Sequence, residues 1–279
     1  MCIRDSDESV DHTLYDSVRG FGANKELTPN NNYSQGETGT GKPNTDVWGY
    51  VNSNNFNGFT VNKGTNSTPS VVNSNGIGYV SWCWKAGGNK NTFNKDDVGY
   101  ASAAAAGLDG GSLAVTGASV GTKQGFSIIK FASGSSGNKT LSHGLLETPT
   151  FILVKTTGAS SDWSVYHKDL GGTVNNYLVL NSTAANATAS NIWGAAVPTS
   201  SVFGINPGTT CATNQDVIAY LWHDVPGLQK FGQYFGNSDV DGPFIELGFR
   251  PALLIVRRLE DADNPVSYTH LTLPTNREV

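Results

Sequence analysis

Methionine is almost absent from this chain: Met1 is the only one in 279 residues. Charge is scarce as well, with Asp, Glu, Lys and Arg making up 15% of residues and a net charge of −5. An acidic chain whose lysines are scattered offers no basic stripe, which argues against nucleic acid as the main partner. No apolar run approaches the roughly 20 residues of a spanning helix, so no membrane span is expected. The three cysteines, Cys2, Cys83 and Cys211, lack the paired spacing of a metal site. Long stretches with a 3.6-residue apolar period are missing too; the one candidate for a short helix is DDVGYASAAAAGL, 96–108.

The two ends stand apart from the rest. MCIRDS (1–6) and VSYTHLTLPTNREV (266–279) match the translation of a transposon-end sequencing adapter read in its two orientations. Both are expected to be adapter-coded and are set aside from fold reasoning. Arg4 and Arg277 leave together with Asp5 and Glu278, so the net charge is unchanged. What remains, about Asp7 to Asn264, contains no methionine and is expected to be an internal fragment of a longer protein. Cys83 lies in an apolar strand and is expected to be a free core thiol; a single Cys83–Cys211 disulfide is the alternative.

Short strand signals fill the interior. FSIIKF (126–131), TFILVK (150–155), NYLVLN (176–181), SVFGIN (201–206) and DVIAYLW (216–222) are rich in β-branched and aromatic residues. Gly, Asn, Ser and Pro clusters that favour turns separate them. A repeat organises them. YVSWCWK (79–85) aligns with VIAYLWH (217–223), FTVN (59–62) with FGIN (203–206), and VWG (47–49) with IWG (192–194). LYDSVRG (14–20) sits where VYHKDLG (165–171) does, and RPALLIVR (250–257) repeats TPTFILVK (148–155). The expected fold is all-β, with tandem antiparallel β-sandwich units of jelly-roll type. The expected division is the C-terminal part of a first unit over 7–88 and a linker with a short helix over 89–124. A complete unit over 125–227 and the N-terminal part of a further unit over 228–265 follow.

Candidate chemistry is thin. GETGTGKP (36–43) has the Gly and Lys spacing of a phosphate-binding loop, but Pro43 stands where a Ser or Thr should hold Mg²⁺. No strand signal precedes it and no helix signal follows. His143, His167 and His223 are scattered, and the repeat replaces the last two by Asp16 and Lys85, so no catalytic residues are expected. Asn237, Asp239 and Asp241 alternate ahead of Gly242 as at the start of a calcium loop. Gly248 stands where the bidentate acid is expected, so a solvated turn is the stronger reading; Ca²⁺ is the only cofactor the sequence suggests. Trp84 and Trp222 are read as core. Trp48 and Trp193, beside glycine at a loop edge, are the candidate ligand-binding residues, since flat rings stack on pyranose faces; core packing is the alternative.

WCWKAGGNKNTFN, GFSIIKF, SDWSVYHKDLG and DGPFIELGFRPALLIVRR resemble segments of a family of uncharacterised tandem β-domain proteins of marine phages. These occur as virion or tail-fibre-like structural proteins. The resemblance covers nearly the whole interior and brings no catalytic motif. It implies a non-enzymatic virion appendage module, structural and in contact with host-surface carbohydrate. Other virion proteins would be its partners, as a homo-oligomer that is trimeric by analogy with fibres. The alternative is an accessory carbohydrate-binding region of a larger carbohydrate-active enzyme or depolymerase.

Overall fold

The computed structural model describes residues 11–55, 57–67 and 71–260, with the backbone of Cys2–Ile3 and Ser267–Tyr268. The stretches expected to be adapter-coded otherwise lie outside the described residues, as do residues 7–10 and 261–265 of the expected first and last units. Thirteen strands make up the sheet, the ribbon and the hairpin at 50–62. They are β1 (Tyr50–Asn55), β2 (Gly58–Asn62), β3 (Phe93–Lys95), β4 (Val98–Tyr100), β5 (Val115–Gly121), β6 (Phe126–Ala132) and β7 (Lys139–Ser142). There follow β8 (Phe151–Thr156), β9 (Ser164–His167), β10 (Asn176–Val179), β11 (Ala187–Thr188), β12 (Val202–Ile205) and β13 (Asp216–Trp222). The helix among the described residues is a single turn, Thr45–Trp48. The chain is all-β, as its composition implied.

Nine strands form one sheet in the order β11-β10-β9-β8-β13-β6-β5-β3-β4. Neighbours run antiparallel except the β3–β5 pair. β7 and β12 pair as a separate ribbon, and this ribbon is the second layer of a β-sandwich. β13 lies at the centre because its sequence is apolar at every position after Asp216. Val217, Ala219 and Leu221 face one side and Ile218, Tyr220 and Trp222 the other, all buried. On the first side they meet Ile129 and Phe131 of β6 and Ile152 and Val154 of β8, beneath Leu141, Phe203 and Ile205 of the ribbon. The Phe131 and Phe203 rings meet edge to face, 6.4 Å between centroids.

On the other side, Ile128, Leu153, Val165 and Tyr220 are covered by Leu14 and Leu27 of the N-terminal segment and by Trp163. The sheet is therefore buried on both faces, which accounts for strands lacking a polar alternation.

Three expectations are corrected. Residues 89–124 are no linker: they supply β3, β4 and β5. The expected helix within 96–108 does not form. Its front is β4, and Ala103–Gly107 turns tightly, with the Leu108 N–H returning to the Ala103 carbonyl and Gly107 at φ +70°. Buried Ala106 and Leu108 fix this turn to the core. Finally, 79–85 is not a buried central strand. Only Val80–Ser81 is extended, bridged to Cys2–Ile3, and among the described residues nothing flanks it as β6 and β8 flank β13. Cys83 is consequently exposed and free, while Cys211 is free and buried.

Phe131 joins the two layers, so Phe131→Ala is expected to lower stability by about 3–5 kcal/mol, the cost of a cavity left by a buried aromatic ring. Urea unfolding of the two proteins measures it.

Candidate functional site

The densest polar chemistry lies where the N-terminal segment crosses the sheet. Asp16, Arg19 and Tyr220 are all buried there. The Arg19 Nε donates to Asp16 Oδ2 at 2.5 Å, and the Tyr220 phenol donates to the same oxygen at 2.6 Å. Arg19 also donates to the carbonyls of Lys25 and Leu14 and to Gln35 Oε1. Burial works against the guanidinium charge, but Asp16 and Tyr220 more than offset it and hold the pKa above its ordinary value. Burial likewise drives the Tyr220 phenol well above its usual range. The tyrosine thus stays a donor and the arginine stays charged. A buried ion pair with its remaining donors satisfied fixes geometry; it has no vacant position for a substrate.

Lys155 lies nearby on β8 and is wholly buried. Its ammonium donates to the carbonyls of Asn32 and Ser161, and burial brings its pKa down to about 8. An amine tuned in that way could serve as a nucleophile, but here it is enclosed and spent on backbone. Trp163 Nε1 donates to the Thr28 carbonyl, 3.0 Å away. Both groups clamp the N-terminal segment onto the sheet.

The clamp occurs twice. Leu14 and Leu27 bridge each other as Val165 and Leu178 do in the β9–β10 pair, so the N-terminal segment takes the conformation of that hairpin. The Gln35 N–H donates to the Thr157 carbonyl at 2.9 Å, and the repeat-equivalent Asn186 N–H donates to the Leu259 carbonyl at 2.8 Å. Arg257, which aligns with Lys155, donates to the carbonyls of Val179, Ser182 and Ala184. In both places a hairpin is held by a cation-bearing segment at the repeat-equivalent position. Lys155 and Arg257 were visible in the repeat as the basic ends of TFILVK and LLIVR. Asp16, Arg19 and Tyr220 gave no such sign, because their repeat positions hold His167, Leu170 and Trp82.

The residues singled out in the sequence do not come together. Trp193 is fully buried, packed edge to face on Tyr166, with Nε1 donating to the Asn176 carbonyl. It presents no face to a sugar, which corrects its reading as a ligand-stacking residue. The Gly194 backbone lies against Gly204, where any Cβ would overlap the Trp193 carbonyl, so the IWG and FGIN motifs are a packing pair. Trp48 is half-buried in the single helical turn.

In the 237–241 loop, Asn237 Oδ1 accepts the Asp239 N–H and Asp239 Oδ1 accepts the Asp241 N–H. The alternating oxygens are accounted for as consecutive turns. No group of three His, Cys, Asp or Glu side chains suited to a metal occurs among the described residues. In GETGTGKP, Lys42 pairs with Glu37 at 2.7 Å and lies over the Tyr33 ring. His143 is buried, with Nδ1 accepting the Leu145 N–H and Nε2 3.1 Å from the Thr199 carbonyl. Burial brings its pKa down to about 4. Among the described residues, no helix is long and apolar enough to cross a membrane.

Two outcomes are expected. Arg19→Met strands the Asp16 carboxylate in the interior and should cost about 3–5 kcal/mol, measured by urea unfolding. For His143 the folded chain resists a proton that the unfolded chain accepts, so the unfolded state binds more protons below its ordinary pKa of 6.5. Stability from this residue is complete above about pH 6.5 and is lost as pH falls towards about 4. His143→Gln should flatten the fall in Tm over that window.

No curated protein and no solved structure matches the chain. One family model matches residues 1–276, described as a domain of unknown function, DUF7483. The match spans nearly the whole chain, and the chain belongs to that family.

Proposed function

We propose that the chain is a non-enzymatic structural module of a phage virion or tail appendage, built from β units joined at fixed geometry. The observation that carries this reading is the repeated joint, in which Lys155 and Arg257 each hold the hairpin of the preceding unit. Stiff joints let tandem units act as a spacer that presents loops at intervals, the arrangement that multivalent contact requires. Contact with host-surface carbohydrate, if the appendage makes it, falls to exposed loops and not to Trp193. The polar groups closest to catalytic chemistry, Lys155, His143 and the Asp16–Arg19–Tyr220 cluster, are all buried and committed to backbone or to one another. The phage resemblance supplies the virion assignment, and the joint is what makes an appendage physically apt.

The test is mass spectrometry of virus particles banded in a density gradient from the community that carries this sequence. Peptides such as FASGSSGNK should co-band with particles in amounts comparable to other structural proteins. Their confinement to the soluble fraction, or to a polypeptide that degrades polysaccharide, would overturn the reading.

A further inference from the structure

Around the single helical turn, four buried oxygens have no hydrogen-bond partner among the described residues: Tyr15 Oη, Asn24 Oδ1, Glu26 Oε1 and Asp46 Oδ1. Thr45 gathers them into one place. Its hydroxyl donates to Glu26 Oε2 at 2.6 Å and accepts the Asn24 N–H at 3.0 Å. Asp46 is the next residue, and the Glu26 charge and the Thr45 side chain both act on the Tyr15 phenol. Glu26 is only 1% exposed, so its second oxygen is an acceptor shut away from water. Burial raises the Glu26 pKa above its ordinary value, and the Asp46 charge adds to this. Arg19 counters it in part, but its hydrogen bonds go to Asp16, Gln35 and the carbonyls of Leu14 and Lys25.

The complete unit shows the same place without carboxylates. Glu26 aligns with Tyr177, Thr45 with Ser190 and Asp46 with Asn191, while Asn24 is matched by Asn175. There Asn175 Oδ1 accepts the Asn191 N–H at 2.7 Å. In the N-terminal segment two acids stand where those neutral residues stand, and the Asn24 amide oxygen is left open. A buried carboxylate without compensation is costly, and an unpartnered acceptor beside it adds to the cost. A bound cation answers both. The frame around it is fixed: the N–H of Gly36, the first residue of GETGTGKP, donates to the Glu26 carbonyl at 3.1 Å. Gly36 also lies so close to Asn24 that a Cβ would overlap the Asn24 carbonyl.

We propose that Tyr15, Asn24, Glu26 and Asp46 form a calcium site. The donor set is wholly oxygen, two carboxylates with an amide and a phenol, which suits a hard cation and not a thiophilic one. Mg²⁺ usually keeps several waters, whereas Ca²⁺ takes most of its ligands from protein oxygens in flexible geometry. The donors come from the hairpin that crosses the sheet and from the helical turn at Thr45–Trp48, so the ion ties these two segments together. The site stands on its own oxygens, independently of the 237–241 loop and of any virion assignment.

Calcium chloride titrated into the full chain, first stripped with a chelator, tests the site by calorimetry and by thermal unfolding. Calcium should bind with measurable heat and raise Tm. About a hundredfold excess of free calcium over Kd should raise the folding equilibrium constant by about the same factor. Glu26→Gln keeps an acceptor for the Thr45 hydroxyl, and Asp46→Asn supplies the side chain that the complete unit carries at Asn191. Each should lose both the heat and the Tm response, with the circular dichroism unchanged. Asp239→Asn, in the exposed 237–241 loop, should leave both intact. A parent chain with no heat and no Tm response up to about 10 mM calcium, beyond the range of weak extracellular sites, would overturn the proposal. So would binding that persists in both acid variants, that disappears with Asp239→Asn, or that magnesium matches at equal concentration.

Discussion

The pairing of Asp216–Trp222 between Phe126–Ala132 on one edge and Phe151–Thr156 on the other is the constraint from which the rest of the structure follows. Each partner comes from a distant part of the chain, so their alignment fixes the positions of everything between. Once β13 is flanked on both edges, its two faces must each be covered. The β7–β12 ribbon covers one and the N-terminal hairpin covers the other. Among the described residues the same pattern at 79–85 has only the Cys2–Ile3 bridge beside it and is not a buried strand, so the pattern alone does not produce the element. Apolar burial gains about 25 cal/mol per Å² only when there is something to be buried against.

Covering the second face with a neighbouring unit makes the joint part of a core. Trp163, Leu14 and Leu27 are as buried as residues inside the sandwich. A joint of this kind transmits orientation, in contrast to a Gly/Ser linker whose ends diffuse. The turn at 225–229 works in the same direction: Val225 bridges Gln229, and the Gln229 amide donates to the carbonyls of Gly125 and His223. The conformational freedom expected of a Pro-Gly connection is thereby removed.

Fold class and the strands of the complete unit were legible because β-branched and aromatic runs between turn clusters report local preference directly. FSIIKF, TFILVK and DVIAYLW lie in strands, and Leu14 and Val165, aligned by the repeat, occupy equivalent bridged positions. What the sequence concealed were matters of partner. The GASVG stretch at 117–121 carries small residues and reads as loop, yet it is a strand because Ala118 and Val120 fit against Ile129 and the turn at Leu108. Trp193 reads as a loop-edge ring in the sequence, but Gly204 admits its backbone so closely that the ring is buried. Asp16 and Arg19 are only three residues apart, but Tyr220 is 204 residues from Asp16, and nothing short of the packed joint brings its phenol to the carboxylate that the guanidinium already holds.

The central claim is that one joint is built twice. Hydrogen exchange followed by NMR at the Gln35 and Asn186 amides tests it most directly, since each donates across a joint, to Thr157 and Leu259 respectively. The account predicts protection of both amides in the native chain, with Arg257→Ala releasing Asn186 while Gln35 stays protected. Exchange of Asn186 at the rate of an unstructured chain in the unmutated protein would contradict it.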